Sequence, residues 1–180
     1  QSLAGMLKVN RSLTSVNLLQ NNIGTGGATA ILRACENNNI LQTVLGLAGQ
    51  EEADFSSKRW REPEAILMSA ELKVNRALTA LDVSGNDIGD GGNKSAIGDA
   101  LLSSSTSKLQ FFTCSEWSIK ANTPSLNLCN RSLNAADARL LAGVIKFNRS
   151  LNSANLGGNI IGDEGIAALS GALKSNSTLE

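Results

Sequence analysis

Apolar residues recur along this chain in one spaced pattern. Leu13, Val16, Leu18 and Ile23 open it, with Asn21 and Gly24 interleaved. Leu78, Leu81, Val83 and Ile88, with Asn86 and Gly89, repeat it position for position. So do Leu151, Ala154, Leu156 and Ile161, with Asn159 and Gly162. Val16 and Leu18 alternate, which predicts a short strand with both side chains pointing inward. The period then changes. Ile166, Leu169 and Leu173 recur at helical spacing, and Leu140, Leu141, Val144 and Ile145 have the same aliphatic character, which predicts helices. Asp163 and Glu164 fall at the start of one such helix, where negative charge is favourable. Gly24 and Gly27 are expected to let the backbone swing from strand to helix.

A short phrase precedes each unit. It reads Lys8-Val-Asn10-Arg-Ser-Leu13, Lys73-Val-Asn75-Arg-Ala-Leu78, Lys146-Phe-Asn148-Arg-Ser-Leu151, Lys174-Ser-Asn176-Ser-Thr-Leu179 and, more faintly, Glu36-Asn-Asn-Asn-Ile40-Leu41. Leu13 to Leu41 is 28 residues, as are Thr123 to Leu151 and Leu151 to Leu179. A fixed period means stacked units, each too small to bury its own apolar face. The pattern resembles the leucine-rich repeat, and its length with a helical second half resembles the ribonuclease-inhibitor-like subfamily. The resemblance implies an α/β fold: a leucine-rich-repeat solenoid, or horseshoe, with a parallel β-sheet on the concave side and helices on the convex side. It also implies a structural ladder in which Asn21, Asn86 and Asn159 bond the backbone of neighbouring turns.

Two stretches break the register. Leu41 to Leu78 is 37 residues, and the excess falls near 48–62, a charged segment with Phe55 and Trp60. It reads either as a solvated loop whose aromatics tuck back or as a recognition loop. Pro63 is expected in the first turn of the following helix. Leu109 to Thr123 is only 14 residues. Leu109, Phe112 and Cys114 fit strand positions, Leu126 and Leu128 fit the next, and no helix fits between. The unit at 109–125 is either a repeat returning by an irregular loop or a local hairpin. Gly49, Trp117 and Arg131 stand where the ladder Asn is expected. Residues 1–180 read as one domain of about six repeats. The chain opens within a helix and stops at the start of another repeat. No polar cap is visible, so a piece of a longer protein, or ends covered by partners, is expected.

Composition narrows the function. Basic and acidic residues number 16 each, so the formal net charge is zero, and no basic stripe argues for nucleic acid. No apolar run has the length of a membrane span. Cys35, Cys114 and Cys129 are too few and scattered for a disulfide framework, which points to a reducing, intracellular, by default cytoplasmic setting. Five Asn-x-Ser/Thr triplets occur, at Asn10, Asn93, Asn130, Asn148 and Asn176. Three of these are the repeat phrase itself, where Asn is expected to end a helix in the left-handed conformation rather than to carry a glycan.

Histidine is absent, which removes His-based triads and His metal sites. Gly89 to Ser95 has the glycines of a phosphate loop, but Asn93 separates Gly from Lys94. Asp82, Asp87 and Asp90 lack the spacing of a calcium loop. No cofactor or metal is expected.

What remains is surface. Outward strand positions form two columns: Asn17, Leu45, Asp82, Thr113, Asn127 and Asn155, and Ser15, Thr43, Ala80, Phe111, Ser125 and Ser153. They are small, polar and almost uncharged, with Leu45 and Phe111 as the apolar exceptions. Aromatic and Arg side chains anchor most interfaces. Leu45, Trp60, Phe111, Thr113, Trp117 and Arg131 are therefore the candidate partner-binding residues. The family resemblance implies non-catalytic protein binding, as a scaffold or structural subunit. It leaves open a GTPase-activating protein, or the sensor region of a larger nucleotide-driven switch.

Overall fold

The structure is a computed structural model that describes residues 2–36, 38–88 and 92–179. It contains mixed α/β repeats. Helices α1 (Leu3–Val9), α2 (Thr25–Cys35), α3 (Glu62–Val74), α4 (Gly92–Ser103), α5 (Ala135–Ile145) and α6 (Gly162–Leu173) pack each against the next in chain order. Strands β1 (Glu52–Asp54), β2 (Ala80–Asp82), β3 (Phe111–Thr113) and β4 (Ser118–Ile119) form one sheet; β5 (Ser125–Asn127) and β6 (Ser153–Asn155) form another. Strands β1, β2 and β3 run parallel, with Ala53 beside Leu81 and Leu81 beside Phe112. Inward residues Leu81, Phe112 and Leu126 meet Ile97, Leu101, Leu140 and Leu141 from the helices in one apolar core.

The strand of the long unit lies elsewhere than Leu41 suggests. Thr43 and Leu45 form only isolated bridges, to Ser15 and Asn17, and they and Val44 between them are buried. Thr43 and Leu45 therefore do not belong to the outward columns. The paired strand is β1, inside the segment expected to be a loop, and Glu52 and Asp54 stand beside Ala80 and Asp82. The long unit thus contains an extra turn with no helix of its own. Glu71 of α3 anchors this turn. Its carboxylate, fully buried, accepts from Thr43 Oγ1 at 2.9 Å, Val44 N at 2.7 Å, Leu45 N at 2.9 Å and Asn75 Nδ2 at 2.8 Å. A buried carboxylate is tolerable only when its oxygens are bonded in this way.

The short unit is a hairpin. Strand β4 turns back antiparallel on β3, with Phe112 beside Ile119 and Thr113 beside Ser118. No helix intervenes between α4 and α5, and the two come into close contact. A Cβ on Gly98 would lie 2.6 Å from Arg139 backbone atoms, and one on Gly143 would lie 2.9 Å from Gly98 O. These glycines serve approach, not unusual torsions.

Two sets of asparagines link neighbouring units. Asn86 Nδ2 donates to Phe55 O at 2.7 Å while its Oδ1 accepts from Trp60 N at 3.0 Å. Asn159 Nδ2 donates to Leu128 O at 2.8 Å, and its Oδ1 accepts from Arg131 N and Leu133 N. Among the described residues, the Asn21 side chain bonds Leu19 O of its own turn and nothing in a neighbouring one. The second set is the Asn of the phrase. Asn38, Asn75, Asn148 and Asn176 donate to Leu7 O, Leu47 O, Gln110 O and Ile145 O, while each Oδ1 accepts from the amides two and three residues on. The expected left-handed terminator is not found: Asn10 and Asn75 cap their helices with φ −68° and −72°. Gly24 likewise sits at φ −79°, a conformation open to any residue, whereas Gly162 uses φ +65°. Gly89 and Asp90, considered above for phosphate and calcium, lie outside the described residues.

Candidate functional site

The outward side chains of β1–β3 line an open groove of about 530 Å³. Glu52 and Asp54 come from β1, Asp82 from β2 and Phe111 and Thr113 from β3, with Lys120 at the far side. Strand alternation makes this arrangement: Ala53, Leu81 and Phe112 point to the core, so their neighbours must point out. The face carries three carboxylates, contrary to the almost uncharged surface expected, because the outward column passes through Glu52 and Asp54 rather than Thr43 and Leu45.

The acidic residues also have local work. Asp54 Oδ1 accepts from Ser56 N, and Asp82 Oδ1 accepts from Ser84 N, both at 2.8 Å. Asn17, Asn127 and Asn155 close their turns in the same way. Asp and Asn thus recur in this column because a short side chain can bond the amide two residues on. Hydrogen bonds from Ser56 hold the Asp54 carboxyl below its ordinary range, so the charge is kept. Thr113 Oγ1 and Ser118 Oγ share a hydrogen bond of 2.8 Å across the hairpin.

The six candidate contact residues do not converge. Phe111 and Thr113 share the groove and are half-buried. Leu45 is 2% exposed and belongs to the core, a correction to its outward placement. Trp60 is also buried and packs on Phe55, ring centroids 4.5 Å apart, so the aromatics of the long unit tuck back. Trp117 is buried against Phe112 at 5.5 Å, and its Nε1 has no hydrogen-bond partner among the described residues. Neither indole lines the groove of the sheet face. Arg131 is exposed in the turn after β5, beside the other sheet and outside the groove. Sequence reading missed Glu52 and Asp54; a 28-residue step back from Ala80 and Asp82 would have found them.

Among the described residues, no group of three His, Cys, Asp or Glu side chains is placed to hold a metal ion. No described helix is long and apolar enough to cross a membrane. All three cysteines are free thiols.

A family model described as "Leucine Rich repeat" matches residues 9–32, 74–95 and 147–170. These stretches contain the three full copies of the strand-and-turn pattern. The chain contains leucine-rich repeats, and its curated relatives support the ribonuclease-inhibitor-like kind. It is 32% identical over 108 residues to ribonuclease inhibitor of Sus scrofa, covering 60% of this chain and 20% of that protein. It is 29% identical over 181 residues to NACHT, LRR and PYD domains-containing protein 3 of Macaca mulatta, covering 99% of this chain and 15% of that protein. This leucine-rich-repeat chain therefore spans a fifth or less of the length of these curated relatives. Among solved structures it is similar to the tropomodulin C-terminal domain of Caenorhabditis elegans, at 15% identity and a TM-score of 0.39, covering 96% of this chain and 90% of that one.

Proposed function

We propose that this chain is a non-catalytic protein-interaction scaffold, a curved solenoid that offers the outward face of β1–β4 to a protein partner. The observation that carries this reading is the groove across three parallel strands, which Phe111 lines together with Glu52, Asp54 and Asp82. An aromatic side chain in a groove with a polar rim is the composition that anchors interfaces. The family supports binding over catalysis, since leucine-rich repeats present extended surfaces.

The stack also shows apolar side chains at both ends. Leu3, Met6, Val9 and Leu13 are exposed at one end and Ile160, Ile166 and Leu173 at the other. In this reading, further repeats or partner subunits cover them. The test is co-purification of the source protein against a Phe111→Ser/Asp82→Ser variant. A protein retained by the natural chain and lost from the folded variant supports the reading; equal retention by both refutes the sheet face as the binding surface.

A further inference from the structure

The extra turn of the long unit leaves a gap. The loop at 18–23 and the loop at 55–60 would ordinarily be separated by the loop of an intervening repeat. The turn between them, Gly46–Gln50, is too short to supply one. A cleft of about 490 Å³ opens in its place, lined by Leu18, Ile23, Phe55, Lys58, Trp60 and Leu67 among others, with no residue from 41–50.

The cleft lacks one rung of a regular pattern. In the later turns, the carbonyl at Phe55 or Leu128 and the amide five residues on, Trp60 or Leu133, are bonded together by one Asn from the next repeat. Leu18 and Ile23 stand at the same two positions of the first turn. The Asn that would serve them is replaced by Gly49, which has no side chain. Among the described residues, no side chain bonds Leu18 O or Ile23 N. One acceptor and one donor are thus left at the wall of a cleft lined by apolar and polar residues alike, and Gln20 and Asn22 share the positive φ of Ser57 and Arg59 and of Asn130 and Ser132, so the first turn has the backbone of the turns that bind a carboxamide. A single carboxamide both donates and accepts, and it is the group used one and four units further on.

The surroundings add a charge preference. Lys58 and Arg59 line the mouth and are exposed. Glu64 also lines it, but one of its oxygens accepts from Arg61 N at 2.9 Å. We infer that this cleft is a second binding site, distinct from the sheet face, for an extended segment of a protein partner. That segment places an Asn side chain between Leu18 O and Ile23 N and an adjacent acidic residue near Lys58 and Arg59. The Asn completes the missing rung, and its flanking apolar residues pack on Phe55 and Trp60.

The probe is a synthetic octapeptide copying Leu81 to Ile88 of this chain, which carries Asn86 followed by Asp87. The readout is the backbone amide and indole NMR signals of the intact chain. Saturable shifts are expected at the amides of Leu19, Asn21 and Ile23 and at the Trp60 indole, with the Trp117 indole unmoved. The same peptide with Asn86→Leu should bind about tenfold more weakly, the loss expected for two hydrogen bonds. Equal affinity of the two peptides, or no saturable shift at Ile23, overturns the site. Shifts confined to Glu52–Asp54, Ala80–Asp82 and Phe111–Thr113 would also overturn it, while leaving the sheet face standing as a binding surface.

Discussion

Lys94 Nζ lies 2.8 Å from Asp137 Oδ1, with both side chains buried. The other Asp137 oxygen accepts from Asn134 N at 3.0 Å and caps α5. Lys94 also reaches Glu116 Oε1 at 2.8 Å in the turn between β3 and β4. One ammonium therefore ties α4 to α5 and to the hairpin that replaces a full repeat. Burial pulls the Lys94 pKa down, but the two carboxylates outweigh it and the net direction is up. Lys94→Met leaves Asp137 buried without this partner, and is expected to cost about 3 kcal/mol of stability. Urea denaturation reads the loss, and adding Asp137→Asn should restore part of it. An unchanged midpoint for Lys94→Met contradicts the assignment.

The inter-repeat asparagines make unequal predictions. Asn86→Ala removes bonds to Phe55 O and Trp60 N of the preceding unit and should cost about 2 kcal/mol. Asn148→Ala, at a fully buried side chain, should cost about as much. Asn21→Ala should change the urea midpoint little, because among the described residues the Asn21 side chain bonds only its own turn. Equal losses at Asn21 and Asn86 would contradict the role given to contacts between units.

The contact of α4 with α5 predicts an effect of one methyl group. Gly98→Ala places a Cβ 2.6 Å from the Arg139 backbone, where no side chain can yield. The helices must separate, at a cost of about 1–3 kcal/mol. Gly171→Ala, whose Cβ would have nothing within 4 Å, is the control and should not destabilise. Thermal unfolding of the two variants decides.

How much of this was legible differs by element. Leu81, Phe112 and Leu126 can be read as inward strand residues because period and burial reinforce one another there. Strand β1 could not be read from Leu41, since the chain makes an extra helix-free turn first and β1 itself carries only Ala53 on its inner side. The phrase asparagines looked like local helix ends because Asn tolerates left-handed torsions. Their actual partners lie in the preceding repeat, which no local pattern reveals. Phe111 and Thr113 lie on the outward face that strand alternation predicts, whereas Trp60 and Trp117 are buried away from it, because aromatic content alone does not say which side of a turn a ring occupies.

The thiols give a chemical prediction. Burial, the largest cause in each case, pushes Cys35 and Cys114 from 9.0 up to about 12. Both stay protonated in the folded chain, while unfolded thiols ionise near 9.0. The stability this confers is fully present below pH 9.0 and is lost as pH rises toward about 12. A thiol-reactive disulfide reagent at pH 8 should label Cys129 alone in the native chain and all three cysteines after denaturation. Rapid native labelling of Cys114 would contradict its burial.

Whether the outward face of β1–β4 meets a protein can be read by cross-linking. The most direct measurement places a photoreactive benzoylphenylalanine at Phe111 in the source protein, with a matched probe at Ala167 on the exposed side of α6. Irradiation under native conditions is followed by mass spectrometry. Cross-linking of one protein from position 111, in stoichiometric yield and absent from position 167, is the predicted result. A partner captured from position 167 and never from 111 would contradict it and move the binding surface to the helices.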